Sequence, residues 1–245
     1  MDIKALPKKF YQRVNLSVKN QFSKYAKEYK NYNIIQQIVA KSLVRELKFQ
    51  PKRILELGCG SGQVYTHIFW DLDFYKAIDF SSSMCELHPK GENIEVKCFD
   101  FDTQEFLDEI KDNSYDIVLS SSALQWSKDL SKIIKHLSCI TNEINAVLFT
   151  SNTFKTIQEL TKTKSPILDE DSIKEAFSKY FKCEFETILY KLEFDNKKDL
   201  FDYIKKSGVS GEASLDFKDA KKLYKEYNLN YLEFEVIFVK TISKL

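Results

Sequence analysis

Short apolar runs alternate with amphipathic stretches along the middle of the chain, and this alternation predicts a parallel sheet flanked by helices. The predicted strands are residues 53–57, 74–78, 94–98, 115–120 and 144–150. Before them, apolar residues recur near a 3.6-residue period between residues 34 and 47, so residues 1–50 are expected to form N-terminal helices.

The pattern changes after residue 150, where helices alternate with fewer and longer strand-like runs. Helices are expected near 154–162 and 172–181, followed by a strand near 183–193. Further helices near 197–206 and 217–227 flank a turn that contains Gly208 and Gly211, and the last predicted strand is 234–240.

Three of the six glycines fall within five residues, at Gly58, Gly60 and Gly62. Glycine loses more backbone entropy on folding than other residues, so such a cluster indicates a tight turn or a close approach to a ligand. A predicted strand precedes it, and a helix from about Ser61 to Trp70 is expected after it. A strand, a glycine-rich turn and a helix form the start of a nucleotide-type site on an open α/β sheet.

The spacing narrows the ligand, because dinucleotide sites use G-x-G-x-x-G whereas this chain has Glu56-x-Gly58-x-Gly60-x-Gly62. An acid before the first glycine repels a phosphate and suits an ammonium group. A second acid, Asp79, closes the 74–78 strand roughly 20 residues further on. The alternative is an ordinary strand-to-helix turn, against which the spacing to Asp79 argues.

The glycine run resembles the first motif of the class I S-adenosylmethionine-dependent methyltransferases, whose cofactor carries an amine and a sulfonium. The resemblance implies an α/β fold with a doubly wound, seven-stranded, mostly parallel and Rossmann-like sheet that ends in an antiparallel hairpin. It implies one domain over residues 1–245. Within it lie an N-terminal helical lid (1–50), a cofactor-binding core (51–150) and the remaining strands with a helical cap insertion (151–245).

The same resemblance assigns the cofactor residues. Asp79 would grip both ribose hydroxyls, and Asp100 would accept the adenine amine while Phe101 stacks on the ring. Asp102 is the competing choice for the adenine acid, and a solvated acid at a strand end is the alternative to both. The full expected set for S-adenosyl-L-methionine is Glu56, Gly58, Cys59, Gly60, Gly62, Asp79, Phe80, Met84, Asp100, Phe101, Ser120 and Ser121.

The run Ala123-Leu124-Gln125-Trp126 is similar to two groups that esterify free carboxylates, the malonyl-acyl-carrier-protein O-methyltransferases of biotin synthesis and the trans-aconitate methyltransferases. Three other regions favour the first group: residues 21–29 with Gln36, residues 203–208, and residues 231–238. The chain departs from that group at Gln37, where Arg is frequent, at Leu232, where Pro is usual, and at Asn33, where a small apolar residue is usual.

The resemblance therefore implies methyl esterification of a malonyl thioester on acyl carrier protein, for biotin (pimeloyl) synthesis. Three alternatives stay open: a methyltransferase of another small acid, one of a quinone precursor, and a non-catalytic cofactor-binding partner subunit. The expected substrate residues are Tyr29, Gln36, Gln125 and Trp126. A buried structural Trp and a chance Gln are the alternatives for the last two.

Composition excludes several classes of function. The net charge is +1, from 37 basic and 36 acidic residues, so no global field favours a nucleic acid or a membrane. No run approaches the length of a membrane span, and no apolar signal core begins the chain. Five cysteines without a C-x-x-C pair suit a reducing cytoplasm, and three scattered histidines do not form a metal site.

The substrate class fixes what catalysis requires. A malonyl carboxyl group, with a pKa near ~4, is already an ionised nucleophile at neutral pH. No catalytic base is expected, only positioning, so His67, His88 and His136 should be dispensable; a carbon methylator would instead need a base. With only three Arg in the chain, the expected carboxylate partners are hydroxyls and amides, namely Tyr29, Gln36 and Gln125; a Lys or one of the three Arg is the alternative.

An acyl carrier protein is acidic, so a local lysine patch is expected to dock it. The candidates are Lys4, Lys8 and Lys9 in the N-terminal segment, or Lys197, Lys198, Lys205, Lys206, Lys221 and Lys222 in the late insertion. The alternative for each of these lysines is a solvated helix face.

Overall fold

A computed structural model describes residues 13–17, 33–206 and 217–245 of the chain. These residues form one eight-stranded sheet in the order β1-β7-β8-β6-β5-β2-β3-β4. The strands are β1 (Arg13–Ser17), β2 (Arg53–Leu57), β3 (Phe74–Asp79), β4 (Ile94–Cys98), β5 (Ile117–Ser121), β6 (Ile144–Phe149), β7 (Phe181–Glu193) and β8 (Tyr231–Lys244). β8 runs antiparallel to its neighbours β6 and β7, and the other pairings are parallel.

Helices cover both faces of this sheet. They are α1 (Ile34–Arg45), α2 (Ser82–Leu87), α3 (Gln104–Ile110), α4 (Leu130–Ile140), α5 (Lys155–Thr161), α6 (Glu170–Ser178), α7 (Lys197–Lys206) and α8 (Phe217–Glu226). On one face, α1, α7 and α8 enclose a core that includes Val39, Tyr203 and Phe234. On the other face, α3, α4 and α6 enclose a second core around Phe106 and Phe177. The sheet is therefore buried on both sides, as a doubly wound fold requires.

The strand order confirms the expected class I methyltransferase architecture. Strands β2 to β8 supply the seven predicted strands, and β7 and β8 form the late antiparallel hairpin. Helices α7 and α8 are inserted between these two strands. No helix in the described ranges is long and apolar enough to cross a membrane.

Two local predictions were wrong. Residues 13–17 form a strand rather than part of a helix, because the otherwise open edge of β7 pairs with them in parallel, from Arg13 opposite Leu189. The segment after the glycines forms turns and one 3₁₀ turn, Tyr65–His67, instead of a helix to Trp70. Tyr65 packs edge-on against Tyr75, and the Trp70 indole N–H donates to the carbonyl oxygen of Pro51, which fixes the segment against the sheet.

Candidate cofactor and acceptor site

The predicted site residues lie at one edge of the sheet. Parallel strands end on the same side, so Leu57, Asp79, Cys98 and Ser121 all lie at the carboxyl edge. Ligands of open α/β sheets bind outside this edge, where the strand order reverses. Here the reversal lies between β2 and β5, since β2 pairs with β3 on one side and with β5 on the other.

The three glycines of the turn after β2 all have positive φ, but they face different surroundings. A Cβ at Gly58 would lie 2.0 Å from the Cβ of Ala123, and one at Gly62 would lie 2.5 Å from the Cδ of Pro89. A Cβ at Gly60 would meet nothing within 4 Å. Chain packing thus explains two of the glycines, and Gly60 alone leaves open space where a ligand can approach the backbone.

Asp79 fixes this turn to the end of β3. Its Oδ2 accepts from the amide of Gly60 at 2.8 Å, and its Oδ1 accepts from the amide of Ser81 at 2.9 Å. Each carboxylate oxygen retains a second lone pair, so both stay able to accept from a vicinal diol. The adjacent Phe80 is 75% exposed, and Met84 is half-buried on the first turns of α2. This geometry fits a ribose on Asp79 with an apolar group beside it.

Glu56 does not face the open side of the turn. Its side chain is buried, and Oε2 accepts from the hydroxyl of Tyr75 and lies 3.9 Å from Nε2 of His88. Burial raises the pKa of the Glu56 carboxyl, against the opposing effects of His88 and Tyr75. Glu56, which was expected to face an ammonium group, is therefore engaged by Tyr75 and His88 within the protein. Tyr75 and His88 were not foreseen, because nothing in the sequence links them to Glu56.

Cys59, in the middle of the turn, is a packing residue. Its side chain is buried, and burial followed by the charge of Glu56 raises the pKa of its thiol far above the ordinary value. A thiol held neutral in this way has no nucleophilic role. Its expected contact with the cofactor would therefore have to come from the backbone.

The two acids after β4 have different tasks. The carboxylate of Asp102 accepts from the hydroxyl of Ser127 at 3.1 Å and from the amide of Lys128 at 3.0 Å, so it fastens this loop to the start of α4. Asp100 is exposed, and only its Oδ1 is engaged, by the amide of Asp102 at 2.9 Å. Phe101 lines a cavity of about 260 Å³ with Asp102 and Leu107, and Asp100 is not part of its lining. The hydrogen bonds favour Asp100 as an adenine acceptor, because Asp102 is already engaged by Ser127 and Lys128.

The end of β5 concentrates unpaired polar atoms. The hydroxyl of Ser120 donates to the carbonyl of Leu57 at 2.9 Å, so its side chain is already used within the sheet. By contrast, Oγ of Ser121, Oγ of Ser122 and Oε1 of Gln125 are buried and have no partner within the described part of the chain. An unpaired buried polar atom costs about 1–3 kcal/mol, so three in five residues indicate a ligand-binding surface.

This loop is also strained. Ser122 has φ 60°, a left-handed conformation that few residues other than Gly, Asn and Asp adopt. The remaining expected substrate residues are only partly placed: Trp126 is 39% exposed, and Gln36 is half-buried in the first turn of α1. Tyr29 lies outside the described residues.

Two arginines and two histidines in the described part of the chain lie away from the end of β5. Arg53 begins β2 at the opposite edge of the sheet, where its Nε donates to the carbonyl of Ser114, and Arg45 ends α1. His88 lies beneath the turn, and His136 Nδ1 is 2.8 Å from the carbonyl oxygen of Lys132 on α4. No His, Cys, Asp and Glu side chains among the described residues cluster as a metal site.

Comparisons with known proteins agree with this fold. Residues 55–142 match a family model described as a methyltransferase domain. The chain is 26% identical over 237 residues to a malonyl-[acyl-carrier protein] O-methyltransferase of Bacillus cytotoxicus, covering 85% of this chain and 81% of that protein. A protein of the same name from Buchnera aphidicola is 29% identical over 185 residues, covering 75% of this chain and 70% of that one.

A solved structure shows the same fold. The YcgJ protein from Bacillus subtilis superposes with a TM-score of 0.63 at 12% identity, covering 85% of this chain and 99% of that one. At 12% identity this similarity supports a shared fold and nothing about function. The methyltransferase domain spans β2 to α4 and so contains the glycine turn, Asp79, Asp100 and the β5 loop.

Proposed function

We propose that this chain, an S-adenosylmethionine-dependent methyltransferase, esterifies the free carboxylate of a malonyl thioester carried on acyl carrier protein. The relatives named for that activity align over 85% and 75% of the chain, far more than the matched residues 55–142. The product, a methyl ester whose charge is masked, suits elongation toward the pimeloyl precursor of biotin. Its five cysteines are all unbridged, which agrees with a reducing cytoplasm.

One observation carries this proposal: the end of β5 and the loop after it present unpaired hydroxyl groups. Two buried hydroxyls, on Ser121 and Ser122, lack partners within the described residues. Hydroxyls can donate hydrogen bonds to a carboxylate without forming an ion pair, and an ion pair would lower the nucleophilicity of the carboxylate. A carboxylate is already deprotonated at neutral pH, so the proposal requires no histidine base.

The cofactor supplies an electrophilic methyl group on a sulfonium when it is bound. The residues that fit it are the open turn at Gly60, Asp79 for the ribose and Asp100 for the adenine. The chain's own contribution is then to position the carboxylate in line with the methyl group and to exclude water. Such positioning lowers a barrier by up to roughly 7–11 kcal/mol in ideal cases.

The walls of the acceptor site would come from the first turn of α1, which carries Gln36, and from the inserted helices α7 and α8. Tyr203 of α7 is fully buried in the same core as residues of α1, so the two helices pack in one layer. In this proposal α1 belongs to the lid, and α7 and α8 form the cap. Trp126, partly exposed beside the β5 loop, would then face the acyl chain.

Mass spectrometry of malonyl-acyl carrier protein incubated with the protein and S-adenosylmethionine tests the reaction. The carrier should gain one CH₂ unit, and alkaline hydrolysis of the product should release one equivalent of methanol, because the new bond is a methyl ester. Succinyl carrier, trans-aconitate and a quinone precursor serve as competing acceptors. Turnover of one of these but not of the malonyl carrier would contradict the proposal, as would cofactor binding without any turnover.

The absence of a base gives a second test. The variants H67A, H88A and H136A are expected to retain turnover wherever they still bind cofactor, and the wild-type rate is expected to stay flat as pH falls through ~6.5. A thousandfold loss in one variant that binds cofactor normally would show that the carboxylate mechanism is wrong.

A further inference from the structure

The side chain of Gln125 has a fixed orientation at the end of β5. It is 3% exposed, and its Nε2 donates to the carbonyl oxygen of Ser122 at 2.7 Å. A carbonyl oxygen only accepts, so the amide must present its nitrogen to Ser122. The other end of the amide, Oε1, is buried without a hydrogen-bond partner in the described part of the chain. The side chain therefore offers an unused acceptor.

The position of this acceptor relative to the glycine turn follows from one contact. Ala123 lies two residues before Gln125, and its Cβ occupies the place that a Cβ of Gly58 would take. The loop that carries Gln125 thus crosses directly over the first glycine of the turn. Gln125 follows Ala123 by two residues and is held to Ser122, so its side chain belongs to the loop that borders the glycine turn.

The sheet order then relates that region to the parts of the cofactor. Asp100 follows β4, Asp79 follows β3 and the glycine turn follows β2, in the spatial order β4-β3-β2-β5. Neighbouring strands are about 4.8 Å apart. An adenosine with its base at Asp100 and its ribose at Asp79 therefore directs its amino-acid chain over the glycine turn, toward β5 and Gln125.

The amino-acid chain ends in a carboxylate, which only accepts hydrogen bonds, and an ammonium group, which only donates them. An amide oxygen is complementary to the ammonium group alone. Glu56, the acid expected there, is directed at Tyr75 and His88 instead. We propose that Gln125 is a cofactor-binding residue whose Oε1 accepts a hydrogen bond from the α-ammonium group of S-adenosylmethionine.

This assignment differs from the expectation that Gln125 orients the substrate carboxylate, because a carboxylate and Oε1 are both acceptors. It rests on the cofactor of the proposed function and is independent of the acyl substrate. The hydroxyls of Ser121 and Ser122, which can donate, remain the groups suited to a carboxylate.

Calorimetry with two ligands and two proteins tests the assignment. The ligands are S-adenosylhomocysteine and its deamino analogue, which lacks only the α-amino group; the proteins are the wild type and Q125L. Q125L is expected to weaken S-adenosylhomocysteine binding about tenfold and to leave the deamino analogue unchanged, because a hydrogen bond to a charged group is lost only with the first ligand.

Two further variants keep the experiment decisive. Q125M has a side chain of nearly the same length without an amide, and it replaces Q125L if that variant unfolds. Q37L removes an exposed glutamine from α1 and should bind both ligands like the wild type. Equal weakening of both ligands, or an unchanged affinity for S-adenosylhomocysteine, would overturn the assignment. Neither measurement needs an acyl carrier, so a failure of the esterification proposal is recognised separately.

Discussion

Gly58 and Ala123 interlock: the space beside the Gly58 backbone is filled by the methyl group of Ala123, 2.0 Å from where a Cβ of residue 58 would lie. This contact joins the turn after β2 to the loop after β5. The two segments that flank the reversal of the strand order are thus held as one unit. The glycine turn and the loop with the unpaired polar atoms therefore depend on each other for their positions.

G58A is therefore expected to unfold at lower urea concentration than the wild type, through both overlap with Ala123 and strain at φ 71°. The strain alone is worth about 1–2 kcal/mol. The double variant G58A/A123G should recover the part due to overlap, whereas G60A should show strain alone, since its Cβ meets nothing. No recovery in the double variant would show that the contact is unimportant.

D79N is expected to weaken S-adenosylhomocysteine binding at least about tenfold. The amide loses charge-assisted hydrogen bonds worth about 1.5–3 kcal/mol each. D116N is the matched control: Asp116 Oδ2 also accepts from two backbone amides, of Lys52 and Arg53, but at the opposite edge of the sheet. It should lower stability without changing affinity in calorimetry. Unchanged affinity in D79N would remove Asp79 from the site.

D100N and D102N should separate recognition of the base from support of the loop. The wild type is expected to prefer S-adenosylhomocysteine over its inosine analogue, which presents an oxygen in place of the adenine amine. D100N should narrow that preference, because an amide can donate to the oxygen. D102N should instead lower the melting temperature, since Asp102 holds Ser127 and Lys128. The reverse pattern would make Asp102 the adenine acid.

E56Q is expected to stabilise the protein at neutral pH. Burial raises the pKa of Glu56 above its ordinary value of 4.5, so its ionisation costs more in the folded state than in the unfolded state. Protonated Glu56 contributes its full stability below pH 4.5, and this contribution is lost as pH rises through the raised pKa of the folded state. The difference in unfolding free energy between E56Q and the wild type should therefore grow from pH 4.5 upward in urea titrations. The exposed E226Q should show no such trend.

K221E/K222E should raise the Michaelis constant for malonyl-acyl carrier protein but not for a small malonyl thioester. Both side chains are exposed on α8, whereas Lys197 is engaged by the carbonyl of Tyr224 and Lys198 by Asp202. Added salt should raise the same constant for the wild type. K135E, on α4 at the opposite face of the sheet, is the control. Equal effects on both substrates would exclude docking at α8.

The other candidate lysines cannot be compared in the same way, because their side chains lie outside the described residues: Lys4, Lys8, Lys9, Lys205 and Lys206.

Much of the core was predictable because its signals are local. The strand at 53–57, the glycines after it and the acid near residue 79 follow from apolar runs and from spacing, and the structure has β2, the turn and β3 there. Residues 13–17 were not predictable, because their strand exists only through pairing with β7, which is far away in the sequence.

The sequence by itself determined the fold class, the glycine turn and the acids that follow the strands, since each depends on the order of neighbouring residues. The tertiary structure decided how these groups are used. In the folded chain Glu56 accepts from Tyr75 and lies near His88, and Asp102 is hydrogen-bonded to Ser127, just before α4. Asp100 is exposed and uses only its Oδ1. The fold also leaves Oε1 of Gln125 as an unused acceptor. Such roles arise from contacts between residues distant in the chain, and hydrogen-bond direction and burial are settled only when those residues meet.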